Sequence, residues 1–250
     1  MVKRKKRVRL GVNIDHCATL RQVRGGETPY PDIPKMAQIA VKNGAEQITI
    51  HLREDRRHIQ DHDLRTLCQD RPAILNLEMA VTREMLKIAL QQKPDWVCFV
   101  PEKRQELTTE GGLDVIRAGD ELKMMIPKLQ NIGIEVSLFI DADPAQVLMA
   151  AQLGAEAVEF HTGHWCQSLQ AGHKTKANAS WKRLVKAAKT ADALGLGVHA
   201  GHGLDYDSTL KILKLPYLRE VNIGHSLVCY ALEVGLGPAV RKMRRILDRA

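Results

Sequence analysis

Six short apolar runs in this chain each close on a titratable side chain. Gly11-Val12-Asn13-Ile14 ends on Asp15 and His16, and the others end at His51, at Glu78, at Asp141, at Glu159 with His161, and at His199 with His202. A buried strand that runs into acids and bases is how parallel α/β enzymes build their sites. Carboxyl and imidazole groups at that many strand ends describe proton-transfer chemistry around one shared ring. One such residue has a plainer role, a Glu as an ion-pair partner or a His as a hydrogen-bonded packing residue. Repetition from strand to strand is what points to catalysis by Asp15, His16, His51, Arg53, Glu78, Glu159, His161 and His202 together.

Glu78 carries the most weight. It follows Ile74-Leu75-Asn76-Leu77, and a carboxyl after a buried run has its pKa raised by desolvation toward the range a general base needs. The alternative is a pairing with Arg53 or Arg104, which lowers the pKa and makes the residue structural. Arg53-Glu54-Asp55-Arg56-Arg57-His58 is a charge run of the kind that usually faces solvent, yet it follows a strand. Arginine forks match phosphate oxygens, so one or two of its arginines with His58 form a candidate clamp for a phosphorylated substrate. Gly201-His202-Gly203 and Ile223-Gly224-His225 supply close-approach backbone after the last two strands, where barrels often hold phosphate on amide groups. His161-x-x-His164 and His199-x-x-His202 have ligand-like spacing. No clear ligand set accompanies them, the first strand offers Asn-x-Asp-His rather than His-x-His, and no metal is expected. Nor does a lysine end a strand as a buried Schiff-base nucleophile would. Acid–base catalysis without metal is the reading these residues support.

The elements that must position them follow from the apolar spacing. Strands are expected near 10–14, 46–51, 73–78, 95–100, 134–140, 155–160, 197–200 and 219–223, with helical periodicity between them. Trp181, Leu184, Val185, Ala188 and Ala191 fall on one helical stripe that Gly195 should stop. Gly235 to Pro238 should split the last helical region in two. Eight strands alternating with helices in 250 residues define the expected class, α/β, a (β/α)8 TIM barrel with additional helices. An open doubly wound sheet is the structural alternative. The chain lacks G-x-G-x-x-G after its first strand and any G-x-x-x-x-G-K-[ST], which removes most support for nicotinamide and P-loop chemistry.

Composition narrows the partners. The net charge is +8, but Lys3, Arg4, Lys5, Lys6, Arg7 and Arg9 supply six of those positives, leaving +2 for the rest. The chain therefore divides into a poorly ordered basic tail, 1–9, and a single barrel domain, 10–250. Aromatic content of 4% leaves little to stack on bases, and neither nucleic acid nor membrane is expected as a partner. Cys17, Cys68, Cys98, Cys166 and Cys229 are odd in number and scattered, as in a reduced, cytoplasmic protein. No run approaches the roughly 18 apolar residues of a membrane span.

Longer motifs carry a family resemblance. Gly11-Val-Asn-Ile-Asp-His16, Ile50-His-Leu-Arg-Glu-Asp-Arg-Arg-His58, Asn76-Leu-Glu-Met-Ala80, Val100-Pro-Glu-Lys-Arg-Gln-Glu106 and Ala200-Gly-His-Gly-Leu204 resemble the pyridoxine 5′-phosphate synthase family. The likeness continues through Ser137-Leu-Phe-Ile-Asp-Ala-Asp143, Glu159-Phe-His-Thr-Gly163 and Asn222-Ile-Gly-His225. It implies an octameric barrel that condenses 1-deoxy-D-xylulose 5-phosphate with 3-amino-2-oxopropyl phosphate, releasing phosphate and water, with no cofactor. By resemblance, His51 and Glu78 accept protons, His202 donates one, and Glu159 assists the transition state. Asn13, Arg24, Gly203, Gly224 and His225 would surround the aminoketone phosphate, and Asp15, His16, Arg53, His58 and Thr108 the sugar phosphate. The basic tail, His199 in place of an expected asparagine, and a long 164–178 segment depart from the family pattern. Two other classes remain in view. A single-substrate isomerase or aldolase would need only one anion site, and a basic-tailed binding protein would show salt-sensitive nucleic-acid binding.

Overall fold

Strand alternation decides which side chains enter the site, because successive residues point to opposite faces of a sheet. The computed structural model describes residues 7–102 and 111–249. Its strands are β1 Arg9–Asn13, β2 Gln47–His51, β3 Ile74–Met79, β4 Trp96–Phe99, β5 Glu135–Ile140, β6 Ala157–His161, β7 Gly197–Gly201 and β8 Leu218–Ile223. All neighbours pair in parallel, and β1 pairs with both β2 and β8, which closes the barrel. The expected barrel class is borne out, and each expected strand is present with its ends displaced by at most two residues.

The helices are α1 Asp15–Gln22, α2 Ile33–Lys42, α3 Asp61–Gln69, α4 Arg83–Gln92, α5 Gly119–Gln130, α6 Pro144–Gln152, α7 Gly163–Gln170, α8 Lys174–Ala193, α9 Tyr206–Ile212, α10 His225–Val234 and α11 Leu236–Leu247. The extra helices arise because α1 and α2, α7 and α8, and α10 and α11 follow one another without an intervening strand. Local chemistry sets their starts. The Asp32 and Thr82 side chains accept the N–H groups of Lys35 and Met85, and Asp205 and Ser208 form a reciprocal capping box. Gly195, at φ +82°, follows α8, and Gly235, at φ +86°, separates α10 from α11, as the glycine placement implied.

The apolar core lies between strands and helices. Ile48, Ile50, Leu75, Leu77, Val97, Phe99, Val136, Leu138, Val158 and Phe160 are fully buried there with Leu64, Leu67, Leu122, Ile126, Leu184 and Ala188. Each large side chain of this kind contributes roughly 1.5–3 kcal/mol. The other strand face is different. Barrel interiors are usually filled with branched apolar residues, but here Gln47, Thr49, Asn76, Glu159, Glu220 and Asn222 are buried and hydrogen-bonded to one another. Two glycines make room for them: a Cβ on Gly11 would lie 1.8 Å from Asn222 Oδ1, and one on Gly201 would lie 1.9 Å from Glu159 Oε1.

The basic segment needs a revised boundary. Residues 1–6 lie outside the described residues, but Arg7 to Arg9 belong to the fold. Val8 is buried, Arg7 pairs with Glu46 and Asp248, and Arg9 opens β1 with its Nε against Glu220. The strand start was hidden because Val8, Leu10 and Val12 already alternate toward the apolar core but the arginines around Val8 read as part of the basic run.

Candidate active site

The strand register brings the acid–base groups together at the C-terminal ends of the strands. His51 on β2 stands opposite Glu78 on β3, and β1 delivers Asn13 and, one turn on, Asp15 at the start of α1. Ligand-capable atoms of Asp15, His51 and Glu78 all lie within 4.8 Å of one another. Asn13 bridges the two carboxyls, donating from Nδ2 to Asp15 Oδ2 at 2.9 Å and to Glu78 Oε2 at 3.5 Å. Its Oδ1 accepts the Asp15 N–H, and Asp15 Oδ1 accepts the His51 N–H at 2.8 Å.

Crowding acids in a poorly hydrated space raises their proton affinity. Burial, with a smaller contribution from Asp15 and then Glu159, pushes the Glu78 carboxyl well above the usual range. Burial also lifts Asp15 to about 6 against the pull of His51. No arginine pairs with Glu78 among the described residues, and Arg104 lies outside them. His51 is held on its far side by Glu102, whose Oε1 is 2.7 Å from Nε2. Burial pushes the Glu102 carboxyl up, but its bond to His51, the His51 charge and the Glu54 N–H outweigh that and leave it below the ordinary range.

Glu159, on β6, faces the same interior. Burial and then the negative charge of Glu220 raise it to about 8, while a bond from Asn222 opposes the rise. His202 follows β7 in a left-handed conformation, φ +66°, with its carbonyl accepting the buried Thr162 hydroxyl at 2.6 Å. Its ring packs on His161, centroids 5.0 Å apart, and His161 Nδ1 lies 3.4 Å from Asp141 Oδ1. Gly163 lets these rings sit close, since a Cβ there would be 2.6 Å from His161 Nε2 and 3.0 Å from His202 Cδ2.

The anion candidates divide clearly. Arg56 is tied to Asp61 and Glu84, and Arg57 to Asp55. Arg53 retains capacity: its Nε is buried with no hydrogen bond among the described residues, and Asp55 Oδ1 lies 3.5 Å away. His58 packs near His51, and burial followed by the charges of His51 and Arg53 lowers it to about 4. Across the mouth, His16 meets His225 edge-on with centroids 5.0 Å apart, and burial and then His225 lower its pKa. Gly224 caps α10 against Asn13, where a Cβ would lie 3.0 Å from that residue's Cβ. Gly203, φ +79°, packs on Gly163 and Cys166.

Not every sequence candidate converges. Arg24 is exposed in the turn after α1, and no hydrogen bond or ion pair joins it to the strand-end groups among the described residues. Thr108 lies outside the described residues. His199 points into the barrel floor, 3.6 Å from Glu220 and stacked at 5.7 Å on Trp96, so it cannot share a ligand with His202. Glu102 and Asn222 were missed as functional residues. Glu102 ends the β4 run as the other acids end theirs, with Pro101 interrupting the pattern.

A closed parallel barrel with carboxyl and imidazole groups gathered at its C-terminal mouth defines an acid–base barrel enzyme. Comparison with known proteins makes the assignment specific. The family model for the pyridoxal phosphate biosynthesis protein PdxJ matches residues 10–249. Pyridoxine 5′-phosphate synthase of Bdellovibrio bacteriovorus is 60% identical over 243 residues, covering 97% of this chain and 99% of the relative, and that of a Bradyrhizobium species is 53% identical over 243 residues, covering 97% and 94%. The chain belongs to the PdxJ family, and its activity is pyridoxine 5′-phosphate synthesis within vitamin B6 biosynthesis. Among solved structures, KGPDC from Streptococcus mutans superposes with a TM-score of 0.65 at 15% identity, covering 98% of this chain and 99% of that one, a likeness of fold alone. No helix among the described residues is long and apolar enough to cross a membrane.

Proposed function

We propose that the site condenses 1-deoxy-D-xylulose 5-phosphate with 3-amino-2-oxopropyl phosphate, closing the pyridine ring and releasing phosphate and water. The observation that carries this reading is the Asn13–Asp15–His51–Glu78 cluster, in which a buried and a half-buried carboxyl and an imidazole share one small volume. Imine formation, enolisation, loss of water and of phosphate, and ring closure need protons moved repeatedly at neighbouring atoms. Several groups with separated proton affinities suit that sequence better than one.

In this scheme His51 and Glu78 accept protons, His202 donates one, and Glu159 assists the transition state. Glu102 holds the far nitrogen of His51 and so supports the imidazolium that forms when the near nitrogen takes a proton. Arg53, with Asp15, His16, His58 and Thr108, receives the sugar phosphate. Asn13, Arg24, Gly203, Gly224 and His225 receive the aminoketone phosphate, with α10 presenting its first-turn N–H groups just past Gly224. The contact between His16 and His225 makes the two regions adjoin, as joining two substrates requires. The same proposal puts the protein in the cytoplasm as a homo-octamer, the latter tested by sedimentation equilibrium.

The deciding experiment incubates metal-stripped protein with both phosphorylated ketones, follows pyridoxine 5′-phosphate and released phosphate, and omits each substrate in turn. Product should require both. Turnover of either ketone alone would instead indicate a single-substrate isomerase or aldolase.

A further inference from the structure

We propose that Glu220 and Asn222, on β8, are positioning residues that set the protonation of Glu159 through a hydrogen-bonded relay crossing the barrel interior beneath the site. The inference rests on the role of Glu159 given above, and its test separates the two.

Asn222 stands between two carboxyls. Its Nδ2 donates to Glu159 Oε2 at 2.7 Å and to Glu220 Oε1 at 2.9 Å, using both amide hydrogens. Its Oδ1 accepts from Gln47 Nε2 and from Thr49 Oγ1, each at 3.1 Å. Flipping the amide would set its oxygen against two carboxyls and its nitrogen against two donors, so one orientation is fixed. Gln47 Nε2 also donates to Glu220 Oε1 at 2.7 Å. Behind Glu220, Arg9 Nε makes a short ion pair and His199 Nδ1 lies 3.6 Å away. Glu159 and Glu220 are 2% and 1% exposed. Separately, Gly11 and Gly201 vacate the volumes that Asn222 Oδ1 and Glu159 Oε1 occupy. The fold thus makes room for this arrangement at both of its ends.

The consequence is electrostatic. A buried carboxylate behind Glu159, held by Arg9 on its far oxygen, favours the neutral form of Glu159. With Oε2 engaged by Asn222, the proton resides on Oε1. Among the described residues, the titratable or charged groups that face Glu159 are Glu220 on β8, Glu78 on β3 and Cys98 on β4, with Arg9 on β1 and His199 on β7 one layer down. Burial raises the Cys98 thiol and lowers the His199 ring, in each case toward the neutral form. β2 presents the uncharged Gln47 and Thr49, with His51 at its end, and β5 presents Ser137. Glu220 and Glu78 are therefore the charges able to act on Glu159, and Glu220 is the one bridged to it.

The test follows the buried carboxylic-acid C=O band by pH-difference infrared spectroscopy of the full chain, assigning Glu159 by the band lost in E159Q. Glu220→Gln keeps shape and acceptor oxygen but removes the charge. The Glu159 midpoint should fall by about one pH unit or more, and Glu220→Asp should retain the wild-type direction. The double variant Arg9→Met with Glu220→Gln leaves no unpaired arginine and should shift the same way, which keeps the test open if the single variant folds poorly. An unchanged midpoint in both would overturn the relay. A shifted midpoint with an unshifted pH profile of kcat would leave the relay standing and remove Glu159 from the chemistry.

Discussion

The base role proposed for Glu78 depends on what surrounds it, and changing its charge without its shape isolates that property. Glu78→Gln should keep fold and substrate binding while lowering kcat by roughly 10²–10⁴-fold, the usual contribution of a positioned proton-transfer group. Near-normal turnover would remove Glu78 from the mechanism. Arg53→Ala tests a different quantity. Losing a charge-assisted bond of about 1.5–3 kcal/mol should raise KM for the sugar phosphate by roughly ten- to a hundredfold with little change in kcat. An equal rise for both substrates would place Arg53 outside the clamp. At this scale the acids were readable in the sequence, since each follows an apolar run. Their partners were not: that Arg56 and Arg57 are taken by carboxylates while Arg53 keeps a donor depends on loop geometry, which spacing does not encode.

Single elements carry the next constraints. β7 hands the chain to His202 through Gly201, where the Cβ of Gly201→Ala would meet Glu159 Oε1 at 1.9 Å and force that side chain to shift. Overpacking of this kind costs typically ~1–3 kcal/mol, so this variant should melt earlier and lose turnover. Unaltered melting and turnover would show that Glu159 is free to move aside. Thr162 should behave differently, because its hydroxyl bonds the carbonyls of both Gly201 and His202. Thr162→Val should cost ~1–2 kcal/mol by urea denaturation and reduce kcat, with Thr162→Ser restoring both. The eight strands were legible because each is a short apolar run bounded by turn residues and separated by helical spacing. Which residues would line the interior was harder to see. In β3 the pattern Leu75-Asn76-Leu77-Glu78 gives the answer by alternation, yet one reads an isolated Asn as a flaw unless Gln47, Thr49 and Asn222 on other strands are counted with it. His199 was misleading because its spacing from His202 is that of a ligand pair, but β7 ends at Gly201 and His202 turns off the strand in a left-handed conformation while His199 stays against Glu220 in the barrel floor.

For the molecule as a whole, the displaced proton affinities set the pH response of stability. Glu159 is raised from 4.5 to about 8, so above pH 4.5 the unfolded chain has released a proton that the folded chain still holds. Stability then falls as pH rises through that window. Asp15 acts in the same sense between 3.8 and about 6. His58 acts oppositely, since it is lowered from 6.5 to about 4 and stability is lost as pH drops between those values. From pH 6.5 to 8, above the windows of both Asp15 and His58, Glu159 acts without that opposition. The urea midpoint of the wild type should therefore decline over this interval, and Glu159→Gln should decline less. Parallel slopes for the two proteins would mean that Glu159 carries no raised affinity.

The pairing of Arg9 with Glu220 ties the first strand to the last. Ring closure by the outermost strands and the tuning of an internal acid are thus one event. A chain lacking either end loses one member of that pair, so the charge that faces Glu159 is held in place only once both ends of the chain have met.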